Sequence, residues 1–365
     1  METTTPASGW RPLGETPIRL GLGPANYAGQ AAAFAEAICR HRADVSAEVT
    51  TRRTGARFAF PTDIHIEPER LGDLDLQIEQ LQRVIGRYTH LVADAFLPVF
   101  GLLNGHHIGA DLPALRQAGV KVALLAHGSE VRHPVRHRER TAHSPFHTLA
   151  DDVRDKMTAR AERNRRVAET SGLPVFVTTP DLLLDLPSAT WAPVVVNVSA
   201  WHSDEPVLRR RAGLRRRRPV VLHAPSKRWT KGTEQILPVL TSLHDEGVID
   251  LRLAEKMPWT ELRDLVRSAD VVLDQFALGS YGTFAVEAMA AGRPVLAYLH
   301  DEVVTLMDEP PPIVNATPQT LRDELTALVA DPRRAARIGA ESVEYAREYH
   351  DGRRTARVFE EFLDA

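Results

Sequence analysis

Three cations, Lys227, Arg228 and Lys231, stand beside Gly232 in the segment His223–Thr233. The apolar run Val220–His223 precedes them, and a helical pattern follows over Thr233–Glu246, with Ile236, Leu237, Leu240 and Leu243 on one face. Basic side chains between a strand end and a helix start, joined by the free N–H groups of that helix, suit a diphosphate. A single lysine there would read as a solvated turn, but three cations shift the balance toward phosphate. A second group follows at Asp274, Gln275, Gly279, Ser280, Gly282 and Glu287. Val271–Leu273 reads as a strand buried on both faces, and Gly279 and Gly282 permit tight turns. A helix then opens through Phe284, Val286, Ala288 and Met289, until Gly292 and Pro294 stop it and Val295–Ala297 resumes a strand. Glu287 reads as lying at that helix start, where the dipole stabilises a carboxylate. It serves either as a dipole partner or as an acceptor for two neighbouring hydroxyls, such as those of a ribose. Asp274 ends its strand on the same side, as loop support or as a ligand contact.

The first part of the chain offers fewer chemical groups. Ile18–Leu22 reads as a strand, Gly23–Gly29 as a loop carrying Asn26 and Tyr27, and Gln30–Arg42 as a helix. The glycine spacing is not GxGxxG, so a structural turn and a nucleotide loop are equal readings. His127 directly follows the strand Lys121–Ala126, where it would line a crevice at the strand's C-terminal edge. His106, His107, His133, His137, His143 and His147 fall in or near loops. Their spacing fits no single helix face and no HExxH occurs, so no metal site is expected. Neither a Gly-x-Ser-x-Gly elbow nor a Walker A loop is present.

The elements that must position these groups alternate as strand and helix, which predicts an α/β chain with mostly parallel sheets. Further strands are expected around Phe58–Phe60, at His90–Ala93, at Pro174–Thr179 and at Leu251–Ala254. Helices are expected at Leu112–Gln117, Asp151–Ser171, Thr260–Ser268 (capped by Thr260), Thr317–Val329, Pro332–Glu348 and Arg353–Leu363. At 365 residues the chain exceeds one ordinary core. The expected division is a flexible tail at 1–17, an N-terminal Rossmann-like domain at 18–200 and a linker at 201–219. A C-terminal Rossmann-like domain at 220–348 and a final segment at 349–365, packing back toward the first domain, complete it. Charged residues at 25%, hydrophobic residues at 43% and a net charge of −3 describe a soluble globular chain with no electrostatic case for nucleic acid. The arginine runs 209–211 and 215–218 read as a solvated linker face. The single cysteine, Cys39, excludes an intrachain disulfide and fits a reducing cytoplasm. No apolar run approaches bilayer length.

These segments resemble the GT-B glycosyltransferases, specifically the large retaining group known as group 1 or family 4. The resemblance is strongest over Val220–Leu299, above all at Ala269–Asp270 with Glu287–Val295, then at His223–Ser226 with Lys231–Thr233. Gly29 and His127 match further positions. It implies two Rossmann-like domains with parallel sheets facing a central cleft, with acceptor bound on the first and nucleotide-sugar donor on the second. Glu287 would hold the donor ribose. Lys231 and an arginine, most plausibly Arg228, would hold the diphosphate and stabilise the leaving group, with Lys227 competing for the arginine's role. Ser226 and the backbone at Tyr281, Gly282, Thr283 and Phe284 would assist them, and Glu255 and Met257 would flank the base. His127 would lie near the reacting sugar. Asn26, Tyr27 and Gly29 would face the acceptor or the β-phosphate.

Gly279 departs from the pattern, because the family usually carries there a first glutamate that contacts the donor sugar. Asp274 or Gln275 would then take over that contact, beside Ser280, or the donor sugar would lack that hydroxyl. The implied activity is hexosyl or related transfer from a nucleoside-diphosphate sugar (UDP, GDP or ADP) as co-substrate, with retention and without cofactor or metal. A homodimer is compatible with this reading. The rival readings are a nucleotide-sugar 2-epimerase, a pseudo-glycosyltransferase, and a nucleotide-sugar sensor or inactive subunit.

Overall fold

The computed structural model describes residues 9–52, 60–208 and 218–365. Its apolar runs pair as two parallel sheets. The first contains β1 (Ile18–Gly23), β2 (Val45–Arg52), β3 (Ile64–Ile66), β4 (His90–Asp94), β5 (Lys121–Ala126), β6 (Val175–Val177) and β7 (Thr190–Trp191), in the order β3-β2-β1-β4-β5-β6-β7. The second contains β8 (Val220–His223), β9 (Asp250–Leu253), β10 (Val271–Leu273), β11 (Val295–Ala297) and β12 (Val314–Asn315), in the order β12-β11-β10-β8-β9. Every pairing is parallel, so the connecting helices cover the faces and the central strands are buried runs. In each sheet the order reverses once, between β1 and β4 and between β8 and β10. Loops leaving neighbouring strands part there in opposite directions and open a crevice at the strands' C-terminal ends. Gly23–Gly29 and His223–Thr233, the two loops singled out in the sequence, leave β1 and β8 at these points.

The chain forms two compact units. The first comprises Met1–His133, Lys156–Val195 and Gly352–Ala365; the second comprises Pro134–Asp155 and Val196–Asp351. Pro134–Asp155 thus clusters with the second unit, although the sequence reading placed it within 18–200. In the first unit Phe359 packs against Phe34 and Phe176, with ring centroids 5.7 and 4.3 Å apart, so the end of the chain completes that unit's core. In the second unit Leu240, Leu273, Leu296 and Leu325 meet in one core.

Several local expectations are corrected. Residues 9–17 of the expected tail are anchored at Trp10, which is buried and whose indole N–H donates to Asp63 Oδ2 at 3.2 Å, while most of its neighbours are exposed. Residues 1–8 lie outside the described residues, as do 58–59 of the expected strand at Phe58–Phe60 and 209–217 of the linker; Phe60 itself is not in a strand. β2 was not anticipated, because its polar residues are buried as well as its apolar ones: Glu48 accepts from the Tyr88 hydroxyl at 2.7 Å and pairs with Arg87 at 2.9 Å. The helix Leu74–Arg87 also escaped, since it exposes Leu74, Ile78 and Ile85 while burying Gln77 and Gln80. Thr260 is not a cap; its helix runs Trp259–Ser268 from Pro258. The expected last helix breaks into Arg353–Val358 and Glu360–Asp364.

Candidate functional site

In the second unit the switch point between β8 and β10 gathers most of the expected donor residues. His223 ends β8 wholly buried. Its Nδ1–H donates to the Leu273 carbonyl at 3.0 Å and its Nε2 accepts from the Thr233 hydroxyl at 2.9 Å. Burial holds this imidazole down to about pKa 4, so it is a neutral strut that fixes the loop. The loop ends in a short helix, Arg228–Lys231, with Gly232 in the left-handed region at φ 70°. Lys231 is turned inward and buried. Its ammonium pairs with the buried carboxylate of Asp274 at the end of β10, and the other Asp274 oxygen accepts the Gly282 N–H at 3.0 Å. Asp274 therefore ties Lys231 to the loop that opens the helix Thr283–Ala290. The first N–H groups of that helix, at Thr283 and Phe284, have no helical acceptor.

Arg228 lies nearer the surface. Its guanidinium bonds Glu234 at 2.6 Å and Glu255 at 3.1 Å, and these carboxylates hold its pKa above the ordinary value. Ser226 and Lys227 are exposed and Met257 is half-buried. Both Lys231 and Arg228 are thus matched with carboxylates of the protein itself, while Lys227 extends toward solvent. An incoming diphosphate would have to compete for the first two.

Glu287 lies in the second turn of its helix, so the dipole argument made from sequence does not hold it. Desolvation pushes its carboxyl pKa up to about 8, opposed by the Trp259 indole N–H at 3.4 Å and by the charge of Lys231. The residue as a whole is half-buried. Tyr281 is buried, and its hydroxyl lies 3.3 Å from both Tyr345 Oη and His350 Nε2.

Gly279 adopts φ 71°, and a Cβ built there would stand 2.9 Å from the Cβ of His300. This position rejects a glutamate on backbone grounds before any question of ligand arises. The loop around it is held by Gln275 Nε2 donating to the Ser280 carbonyl at 2.6 Å and by His300 N–H donating to the Gly279 carbonyl at 2.9 Å. The segment Pro134–Asp155 supports the same loop. His137 bonds Ser144 through Nδ1 at 2.8 Å and the Leu278 carbonyl through Nε2 at 3.2 Å, and Phe146 stacks edge-on to Trp229 at 5.9 Å. His143 packs on Tyr298 at 5.0 Å, and His147 bonds the Thr141 carbonyl at 3.3 Å. These histidines brace the fold. Among the described residues no three His, Cys, Asp or Glu side chains are grouped to hold a metal ion.

In the first unit Asp94, a residue the sequence reading passed over, organises the switch point between β1 and β4. Fully buried at the end of β4, it accepts the N–H groups of Ala25 and Asn26 at 2.6 and 2.8 Å, and His127 Nε2 lies 3.4 Å away. Asn26 caps the geometry from the other side: its Oδ1 accepts the Ala32 N–H at 3.2 Å. Tyr27 stands edge-on to His127 at 5.6 Å, and Gly29 takes φ 71° against the Phe60 ring. Asn26, Tyr27, Gly29 and His127 are therefore brought together, around a carboxylate that the sequence reading did not name. The available signal was an acidic residue directly after the buried run His90–Ala93. Trp259, beside Glu287, was missed because no spacing rule links it to a helix in the next βα unit.

No protein-family model matches the chain, and no curated protein matches it in sequence. Solved structures match its fold. HepE from Anabaena, solved with UDP and glucose, superposes with a TM-score of 0.61 at 17% identity, over 95% of this chain and 99% of that one. Sucrose-phosphate synthase from Thermosynechococcus elongatus gives 0.60 at 16%, over 95% and 98%. WaaG, a glycosyltransferase involved in lipopolysaccharide biosynthesis, gives 0.56 at 11%, over 94% and 100%. The chain has the GT-B fold of these proteins.

Proposed function

We propose that the protein transfers a sugar from a nucleoside-diphosphate sugar to an acceptor nucleophile. The observation that carries this reading is the convergence of the Lys231 ammonium, the Asp274-held Gly282 loop and the free N–H groups at Thr283 and Phe284 on one switch point, with Glu287 and Trp259 beside them. HepE was also solved with UDP-glucose, which makes UDP sugars the first donors to try.

Breaking the bond between the anomeric carbon and the diphosphate leaves negative charge on the departing oxygen and an oxocarbenium-like sugar. Lys231 and the helix N–H groups are fixed donors for that charge, in place before the reaction begins. Arg228 and Lys227 add positive potential at the rim. Glu287 accepts the ribose hydroxyls and Glu255 and Met257 flank the base. Asn26, Tyr27, Gly29 and His127 form the acceptor side. In the retaining form of this chemistry the acceptor approaches from the face that the diphosphate leaves. The departing phosphate oxygen takes the acceptor's proton as the new bond forms, so no metal or separate base is required. The single cysteine suits a cytoplasmic enzyme.

A nucleotide-sugar-binding protein without turnover is the second reading. It is favoured by the ion pairs that already occupy Lys231 and Arg228. The two readings separate on incubation of UDP, GDP and ADP sugars with panels of alcohol, thiol and sugar acceptors, followed by chromatography of the released nucleotide. A transferase releases nucleoside diphosphate in step with a new glycoside whose anomeric configuration is that of the donor. Tight binding with no release supports the sensor, and no binding of any donor overturns both.

A further inference from the structure

Two arginines at the switch point of the first unit play no part in the donor reading. Arg52 ends β2. Its backbone N–H donates to the Pro24 carbonyl at 2.8 Å, and its Nη2 donates to the Pro98 carbonyl in the loop after β4. Arg160 lies in the stretch of the helix Asp151–Thr170 that belongs to the first unit. Its Nη2 donates at 2.9 Å to the carbonyl of Ser129, in the loop after β5. The loops after β1, β4 and β5 thus hold both side chains at the C-terminal edge of the sheet. Tyr27, at the same edge, is 46% exposed, and its hydroxyl lies within reach of the charges of Glu130, Asp94, Arg160 and Arg52.

Neither arginine forms a salt bridge among the described residues, and the Nε of each is buried without a hydrogen-bond partner. The carboxylates around them are committed elsewhere. Asp94 accepts the Ala25 and Asn26 N–H groups, Asp111 accepts those of Val99 and Phe100 at 2.7 and 3.3 Å, and Glu130 accepts those of His127 and Gly128. Burial holds the Arg52 guanidinium below its usual pKa, and the charges of Asp94 and Asp111 oppose this without a direct contact. Carbonyls thus fix the position of both cations without neutralising them. A guanidinium offers a planar fork of N–H donors, which a carboxylate or phosphate meets with paired, charge-assisted hydrogen bonds.

We infer that the acceptor carries a carboxylate or phosphate, received by Arg52 and Arg160, in addition to the nucleophile that takes the sugar. This rests on the transferase reading above and names the acceptor's chemical class within it. Arg52 and Arg160 are then specificity-determining residues. An acceptor without the anion leaves two desolvated cations unmatched and binds more weakly.

The test is thermal shift at constant ionic strength on the wild type, Arg52→Met, Arg160→Met, Arg160→Lys and the Lys231→Met/Asp274→Asn double variant. The probes are glucose, glucose 6-phosphate, glucuronate, inorganic phosphate and succinate. In the wild type an anionic probe should raise the melting temperature with concentration, and glucose should not. A response to glucose 6-phosphate and phosphate identifies a phosphate acceptor, and a response to glucuronate and succinate a carboxylate acceptor. In Arg160→Met the concentration needed for the same rise should increase about tenfold, the scale of one charge-assisted hydrogen bond. Arg160→Lys, which keeps the charge without the fork, should fall between. Arg52→Met should behave as Arg160→Met does; should it not fold, Arg160→Met alone decides. The Lys231→Met/Asp274→Asn variant should keep the rise, because its altered pair belongs to the second unit. A wild type that responds to no anion overturns the inference. So does an Arg160→Met protein that responds as the wild type does, or a rise lost only in the Lys231→Met/Asp274→Asn variant. A wild type that binds these anions through its arginines but binds no nucleoside diphosphate overturns the transferase reading instead, a separate result.

Discussion

Lys231 and Asp274 bind each other in the buried heart of the candidate donor site, and this sets how each responds to change. Removing one partner leaves a buried charge without compensation, a loss of about 3–5 kcal/mol. Lys231→Met alone should therefore lower stability in chemical denaturation, and Lys231→Met with Asp274→Asn should recover most of it. Recovery of the fold without recovery of turnover would separate the catalytic part of the lysine from its structural part. Glu287 makes a pH prediction. Its carboxyl is raised to about 8 by burial, whereas hydroxyls donated by a ribose favour the ionised form. Binding then releases a proton, so affinity for a nucleoside-diphosphate sugar should rise from pH 6 to pH 8, and Glu287→Gln should flatten that rise in calorimetry. In the free protein the sign is opposite. The stability that the protonated group contributes is present below the usual carboxylate pKa and lost as pH climbs through about 8. Gly279→Glu should destabilise the chain by about 1–3 kcal/mol, the cost of forcing a side chain into left-handed backbone. A denaturation midpoint equal to wild type would show that the loop can rearrange.

Among the elements, the clearest prediction concerns the chain's end. Phe359 fills the space between Phe34 and Phe176 in the first unit, so Phe359→Ala should cost about 3–5 kcal/mol, read as a lowered midpoint in denaturant. The elements that the sequence announced were those whose burial matches their composition. Lys121–Ala126, Val220–His223 and Val271–Leu273 are buried apolar runs and appear where expected. β2 and the helix Leu74–Arg87 did not announce themselves, since they bury Ser46, Glu48 and Gln77 by hydrogen bonding, bury Gln80 as well, and leave leucine and isoleucine at the surface. The site divides in the same way. Lys231, Arg228 and Glu287 stand in motifs with a chemical signature. Asp94 and Trp259 act only through neighbours far away in sequence, and the pairing of Lys231 with Asp274 depends on the β8–β10 adjacency, which no local pattern encodes. Asp94 is predicted to be a positioning residue. Asp94→Asn leaves one amide oxygen for two N–H groups that separate carboxylate oxygens now accept, so it should lower stability by about 1–3 kcal/mol, read as a lowered midpoint in denaturant.

For the whole molecule, two parallel α/β units with one switch point each give the GT-B fold. No helix among the described residues is long and apolar enough to cross a membrane. A ligand that binds only the folded state stabilises it by about 2.7 kcal/mol at a hundredfold excess over Kd, so donor binding is visible as a rise in melting temperature. That rise, measured with UDP-glucose and its GDP and ADP counterparts on the wild type and on the Lys231→Met/Asp274→Asn double variant, tests the central claim most directly. The account predicts a concentration-dependent rise for one nucleotide series in the wild type, and none in a folded double variant over the same range. An equal rise in both proteins, or no rise in the wild type with any nucleotide sugar, would contradict it.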